Sequence, residues 1–382
     1  MAARKPAAAP ANDRRPSVAL VLQGGGALGA YHIGCCEALQ EAGFTPDWVS
    51  GISIGAINAA VIAGTEPAER IARLEQLWND ISRDDAWGSW LTGGMRRLFN
   101  LGSAGEALLL GQPNFFAPRL PSPLMAPPGP GATSFYDTSP LRATLLRMAD
   151  FDRINRGPTR LSLGATRVTT GELVFFDNRR DRIGPEHVMA SGSLPPGFPA
   201  VEVGGELYWD GGCVSNTPLE AVLDDRPERD MLVFMIDLWD AHGAVPRTMD
   251  EVLWRQKQIQ YASRTRQHIE AVKAKLDLEK ARHRLRRRAT AGPVDAAVAD
   301  DAIEHVGHVD IVHVTYRPDA DQVSQSDAEF SRASIADRRA AGHADTCKAL
   351  AKAPWSARRE DGAGASVHRV AAAEAEKLRR AA

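Results

Sequence analysis

Gly51-Ile52-Ser53-Ile54-Gly55 decides how the rest of this chain is read. A serine flanked by glycines at two-residue spacing fits the cramped strand-to-helix turn that lifts a hydroxyl above a sheet. Side chains at the two flanking positions would collide there, because the backbones approach closely. Asp47-Trp48-Val49-Ser50, just before it, reads as a short strand, and 54–63, rich in alanine and isoleucine, reads as a buried helix. Alone, such a pentapeptide is more often a tight turn than a catalytic site, so its meaning depends on its surroundings.

Upstream, 17–23 is an apolar run of strand length, followed by Gly24-Gly25-Gly26-Ala27-Leu28-Gly29 and a helical stretch over 30–42. A strand, a glycine loop and a helix in that order leave several N–H groups unpaired at the positive end of a helix, a site for negative charge. A dinucleotide fingerprint would use Gly24, Gly26 and Gly29 and would need an acid at the end of the next strand to hold a ribose. That strand ends instead in Gly51-Ile52-Ser53. The favoured alternative is an oxyanion hole formed by the loop 24–29, chiefly the amides of Gly25 and Gly26, together with that of Ile54. A third element, Asp210-Gly211-Gly212, follows a strand-like 206–209 and precedes Ser215-Asn216-Thr217-Pro218. By itself it would be a turn. Beside a serine elbow, Asp210 becomes the general base that the serine needs, and it should be partly desolvated to act as one.

Glycine loop, Gly-x-Ser-x-Gly elbow and Asp-Gly-Gly, in this order, resemble the patatin-like phospholipases. The resemblance covers 17–238 and implies a three-layer α/β/α fold with a mostly parallel central sheet and a Ser-Asp dyad. Residue by residue it implies Ser53 as nucleophile, Asp210 as base and the loop holding Gly24, Gly25, Gly26 and Gly29 as oxyanion hole. Gly51, Gly55, Gly211 and Gly212 are then the small residues of the elbow and the acid loop. Ala190-Ser191-Gly192-Ser193-Leu194-Pro195 and Phe198-Pro199 are similar to the stretch before the aspartate in that family. Phe330-Ser331-Arg332-Ala333-Ser334-Ile335 and the following 338–345 resemble a tail found on a bacterial subgroup, to which the resemblance assigns no chemistry.

The expected organisation is a disordered arm over 1–16, a catalytic domain over 17–238, a helical C-terminal extension over 239–354 with one further strand, and a weakly ordered tail over 355–382. At 382 residues and 44% hydrophobic content the chain can bury one large α/β core and carry an appendage. A net charge of -2 gives no general attraction to nucleic acid. Four cysteines, two of them the adjacent Cys35 and Cys36, make no disulfide framework and suggest a reducing compartment. Cys213, close to Asp210, reads as small filler before it reads as a reactive thiol. No apolar stretch approaches the ~20 residues that span a bilayer. Arg14-Arg15 before an apolar run superficially resembles an export signal, but cleavage there would remove the glycine loop. A soluble, cytoplasmic protein is expected, free or at a membrane surface.

The segment 84–134 breaks the pattern: Trp87, Trp90, Leu98, Phe99, Leu108, Phe115 and Phe116 are interleaved with glycines ahead of a proline-rich 118–130. It is either packing over the core or an apolar lid and acyl-chain wall beside Ser53. Helices are expected over 66–82, 139–148, 249–289 and 338–351, a hairpin over 161–168 and 172–177, and strands over 231–238 and 309–315. Arg282, Arg284, Arg286, Arg287 and Arg288 close the long helix, as a solvated end or as a contact for an anionic membrane.

The rival mechanism is a Ser-His-Asp triad of an esterase, thioesterase or polyester hydrolase, with His242, His305, His308 or His313 as base. None of these sits in a distinctive loop, and His305, His308 and His313 do not converge as metal ligands. No metal or cofactor is required. The substrate is a lipid or other acyl ester of unassigned kind, and a non-catalytic lipid-binding protein on the same fold is the remaining alternative.

Overall fold

The computed structural model describes residues 15–85, 87–223, 229–290, 307–318, 322–356 and 363–369. In chain order, β1 (Ser17–Leu22) leads through a 3-10 turn to α1 (Tyr31–Glu41), and β2 (Trp48–Gly51) leads to α2 (Ile54–Ala63) and α3 (Arg70–Asp80). Then come α4 (Gly93–Leu110) and two short strands, β3 (Ala117–Pro118) and β4 (Tyr136–Asp137), which pair with each other. The middle of the chain forms α5 (Ser139–Met148), α6 (Phe151–Arg156), β5 (Arg160–Arg167), β6 (Leu173–Asp177), α7 (Pro185–Ser191), β7 (Val201–Val203) and β8 (Glu206–Asp210). The last part forms α8 (Leu219–Leu223), β9 (Met231–Asp237), α9 (Met249–Thr290), β10 (Val309–Thr315), α10 (Arg332–Lys352) and β11 (Ala365–Arg369).

Nine of the strands make one sheet in the order β11-β10-β9-β1-β2-β5-β8-β7, with β6 also on β5. From β11 to β5 every pairing is parallel, and β6, β8 and β7 close that side antiparallel. A parallel sheet is covered on both faces, so its strands read as continuous apolar runs. Alternate residues of β1 show this directly. Val18, Leu20 and Leu22 join the core formed with α1, α2 and α3, while Ala19 and Val21 join the core formed with α8 and α9. In β9, Leu232, Phe234 and Ile236 face the first core and Met231, Val233 and Met235 the second. The result is three layers, helix, sheet and helix, as the resemblance implied.

Three regions differ from the sequence reading. The extension is not a separate appendage: β10 pairs with β9 in the same sheet, and α10 lies along α1, tied by Arg339 to Glu37 at 2.9 Å and by Tyr31 to Asp345 at 3.1 Å. In the stretch expected to be weakly ordered, Ala365–Arg369 forms β11 beside β10, with His368 bonded to Asp310 at 2.8 Å. Its five residues gain their order from a partner strand far away in sequence. Within 84–134 an 18-residue helix, α4, appears where no helix was expected. Its buried residues are Arg96, Asn100, Ala104 and Ala107, so the apolar period points outward and gave no core signal. Residues 1–14, His305 and the side chains of Arg284, Arg286, Arg287 and Arg288 lie outside the described residues.

Candidate active site

Ser53 occupies the turn between β2 and α2 with φ 58° and ψ −126°, a left-handed conformation that a residue with a side chain adopts only under constraint. The constraint is local packing. A Cβ on Gly51 would stand 2.3 Å from the Gly55 carbonyl oxygen, and one on Gly55 would stand 2.2 Å from that of Leu22. Ser191 holds the turn from the other side. Its carbonyl and its hydroxyl accept from the Ser53 N–H at 3.0 and 3.2 Å, and the hydroxyl donates to the Gly164 carbonyl at 2.6 Å.

The glycine loop follows β1, so both loops lie at the carboxyl ends of adjacent parallel strands, where open α/β sheets bind ligands. Gly24 donates its N–H to the Asn216 carbonyl at 3.2 Å. Its own carbonyl accepts from Asn216 Nδ2 and Trp239 Nε1, each at 2.9 Å. Gly29 packs against the elbow helix, where a Cβ would meet Ile54 at 2.6 Å. Gly25 and Gly26 open the 3-10 turn and Ile54 opens α2, positions whose N–H groups have no acceptor within the helix that they begin.

Asp210 ends β8 and is buried. Burial pushes its carboxyl up to about 7, against the opposing pull of the neighbouring Ser53 side chain and of the Gly212 N–H, which donates to it at 2.7 Å. Burial also holds the nearby Cys213 thiol up at about 11, so it stays protonated at neutral pH. Gly24, Gly25, Gly26, Ser53, Ile54, Asp210 and Gly212 line one cavity of about 400 Å³. Gly51, Gly55 and Gly211 stand behind it.

Among the described residues no histidine lines that cavity. His242 is exposed and pairs with Asp240, His308 bonds the Ala363 carbonyl and Ser366, and His313 bonds Asp237. No group of three histidine, cysteine or carboxylate side chains converges as a metal site would require, again among the described residues.

The rest of the cavity wall comes from distant segments. Leu108, Phe115 and Phe116 of the insert stand opposite Phe198 and Phe330, with Phe116 and Phe198 ring centroids 5.2 Å apart. Tyr261 and Asp327 add a side that belongs to the C-terminal third, next to Trp239 just after β9. Contact with the glycine loop is close: Gly26 has φ +55°, and a Cβ there would lie 2.2 Å from the Asp327 carbonyl oxygen. Buried Arg338 locks this junction, donating to the carbonyls of Ala27 at 3.0 Å, Glu329 at 2.8 Å and Ser326 at 3.0 Å. Sequence reasoning missed Arg338, Asn216 and Trp239 as supports of the loop. Asn216 had one local hint, its place just after Asp-Gly-Gly. The other two act across more than 200 residues of chain and had none.

A family model described as patatin-like phospholipase matches residues 20–223, and a second, described as patatin phospholipase, matches 259–362. Neuropathy target esterase sws of Drosophila melanogaster is 43% identical over 63 residues, 16% of this chain and 4% of that protein, and the Drosophila erecta protein matches to the same extent. The chain thus spans 4% of the length of these curated relatives. Among solved structures, VipD from Legionella pneumophila is similar at 14% identity and a TM-score of 0.34, over 88% of this chain and 67% of that one. The ExoU–SpcU complex of Pseudomonas aeruginosa is similar at 20% identity and a TM-score of 0.27, over 68% of this chain and 52% of that one.

Proposed function

The chain belongs to the patatin-like phospholipase family, and so to the carboxylic ester hydrolases, and we propose that it cleaves lipid acyl esters through a dyad of Ser53 and Asp210. In this reading the Ser53 hydroxyl attacks the ester carbonyl carbon while Asp210 takes its proton, and the N–H groups of Gly25, Gly26 and Ile54 carry the negative charge on the carbonyl oxygen. The tetrahedral adduct collapses, Asp210 returns the proton to the leaving alcohol, and an acyl-serine remains. Water then attacks that acyl group with Asp210 again as base, releasing a carboxylic acid and restoring the serine. One observation carries the proposal: Ser53, on its strained elbow, and the buried Asp210 line the same cavity, and burial raises the Asp210 carboxyl to about 7, near the pH at which a base must work. The apolar aromatic wall suits an acyl chain, which favours a lipid over a small polar ester.

Insert 84–134 then supplies the acyl-chain wall, and the C-terminal third, with Arg338, completes the site instead of standing apart from it. Among the described residues no helix is long and apolar enough to cross a membrane, so we read the contact with lipid as peripheral.

Ser53→Ala should lower turnover by about 10⁴ or more with the fold retained, since it removes the chemistry and no anchor. A fluorophosphonate probe should label the wild type and not this variant. Failure to label the wild type at Ser53 would favour a lipid-binding protein without catalysis. A panel of acyl esters, from phospholipid and lysophospholipid to thioester, sorts the substrate.

Asp210 gives the pH dependence its sign. The base must be ionised, so kcat/KM should be flat above about pH 7 and fall tenfold per unit below it. Stability runs the other way. With a folded pKa near 7 and an unfolded one near ~3.9, the folded state keeps a proton that the unfolded chain loses, and stability declines as pH rises through that window. Asp210→Asn should therefore lose about 10⁴ in turnover, as Ser53→Ala does, yet at pH 8 be more stable than the wild type by at most about 4 kcal/mol and so unfold at a higher temperature. An unchanged or lowered Tm at pH 8 would show that Asp210 is not held at a cost.

A further inference from the structure

Gln23 is the last residue before the glycine loop, and it is completely buried. A primary amide in such a place is costly unless its donors and acceptors are met. Here they all are. The oxygen accepts from the backbone N–H groups of Leu238 at 2.6 Å and Trp239 at 3.1 Å, and the nitrogen donates to Thr217 Oγ1 at 2.9 Å and to the Tyr261 carbonyl at 3.3 Å. Two backbone donors on one side settle which end of the amide is oxygen. The partners come from the end of β9, from the segment that follows Asp210 and from α9, so one side chain joins three distant parts of the chain. Thr217 passes the network on to Asp237 at 3.3 Å, which His313 meets at 2.9 Å.

These partners act in turn on the loop. Trp239 returns its indole N–H to the Gly24 carbonyl at 2.9 Å. Leu238 packs against Gly25 so closely that a Cβ there would stand 2.8 Å from its Cδ1. Thr217 follows Asn216, which accepts from the Gly24 N–H and donates to the Gly24 carbonyl. Gln23 therefore holds the backbone of the residues whose side chains hold Gly24 and Gly25. An apolar residue of the same size would leave the N–H groups of Leu238 and Trp239 buried and unpaired, and a glutamate would lose both donations.

We propose that Gln23 is a positioning residue for the ester cleavage at Ser53: its amide fixes the glycine loop, which receives the carbonyl oxygen, relative to the segment that carries Asp210. The inference rests on the dyad proposed above and adds to it the group that sets the spacing of its parts. Donors aimed at an oxyanion matter most when the charge has formed, so a displaced loop should show in kcat and spare KM.

Gln23→Met keeps the length of the side chain and removes all four hydrogen bonds. On a monomeric ester, with kcat counted per site that a fluorophosphonate labels at completion, it should lower kcat about 10²-fold and leave KM within about twofold. Ser162→Ala shows what a merely structural loss looks like. Ser162 is buried, accepts from Trp48 Nε1 at 2.9 Å and donates to Asp177 at 2.7 Å, and neither it nor its partners line the cavity. That variant should lower the Tm and keep the wild-type kcat. An unaltered kcat in Gln23→Met, a loss confined to KM, or an equal kcat loss in Ser162→Ala would each overturn the proposal. Should Gln23→Met fail to fold, Thr217→Val decides: it removes one acceptor of the amide and should lower kcat about tenfold, and a wild-type kcat there would overturn the proposal. A wild type that is not labelled at Ser53 sinks the dyad and this inference together, whereas a labelled, active wild type beside an indifferent Gln23→Met sinks the inference alone.

Discussion

Two helices flank the cavity at Ser53, and they are built on opposite plans. Every residue of α2 is buried, and its one strongly polar side chain, Asn58, is fully engaged: it donates to the Gly29 carbonyl at 3.1 Å and accepts from Trp78 Nε1 at 3.0 Å. By contrast, α4 turns Arg96 and Asn100 inward, with Arg96 bonded to Asn100, the Gly88 carbonyl, Ser334 and Asp337. It turns Met95, Leu98, Leu109 and Leu110 outward, each more than 60% exposed. Trp87 and Trp90 before it and Leu120, Leu124 and Met125 after it are at least as exposed. So many exposed apolar side chains on and around a helix whose Leu108 lines the cavity suit a contact with another apolar phase. For an enzyme of the kind proposed, that phase is the lipid that holds the substrate, and tryptophans at the edge suit its headgroup level. In this reading α2 is made for protein neighbours on all sides, and α4 for protein on one side and lipid on the other.

The comparison breaks most sharply at α2. Gly55→Ala puts a methyl group 2.2 Å from the Leu22 carbonyl oxygen, so the elbow must shift by roughly 1 Å. A displacement of that size at a nucleophile costs about 10²-fold in turnover, with about 1–3 kcal/mol of overpacking. Both are read from kcat on a monomeric ester and from a melting curve, and a silent substitution would mean the turn is not as tight as described. The outer face of α4 should give a smaller and more selective effect. Leu98→Ser with Leu109→Ser and Trp90→Ser should cut hydrolysis of vesicle-borne ester about tenfold, since each buried apolar side chain contributes ~1.5–3 kcal/mol and only part is buried at a surface. The same variant should hydrolyse a monomeric ester at the wild-type rate. Equal losses on both substrates would make α4 a structural element of the site and end the lipid interpretation.

How much of this could be read beforehand follows from the same contrast. The strand over 17–22, the glycine loop and the elbow were legible because their signals are local: an apolar run, a glycine pattern and a helix all fall within 50 residues. The different surroundings inside the loop were not, since Gly24, Gly25, Gly26 and Gly29 look alike in sequence and differ in what they pack against: Asn216, Leu238, Asp327 and Ile54 in turn. α4 was hidden because its apolar positions lie on the wrong side for a core helix and glycines interrupt them. The third wall of the cavity was hidden by distance. Asp327 and Arg338 meet the loop at Gly26 and Ala27 across some 300 residues, and no pattern near either end announces the contact.

The smallest effect bears on why α4 carries Gly102 and Gly105 at all. Each has open space where a Cβ would go, so neither is there for a close approach, whereas the flanking glycines of the elbow are. A mid-helix glycine costs about 0.5–1 kcal/mol relative to alanine. Gly102→Ala with Gly105→Ala should therefore stabilise the chain by about 1–2 kcal/mol and raise the Tm by a few degrees without altering turnover of a monomeric ester. Vesicle hydrolysis separates two meanings of those glycines. If it is unchanged, they are incidental and α4 docks as a rigid surface; if it falls with the added stability, α4 must soften to seat on lipid, and the contrast with the rigid α2 is one of mechanics as well as polarity.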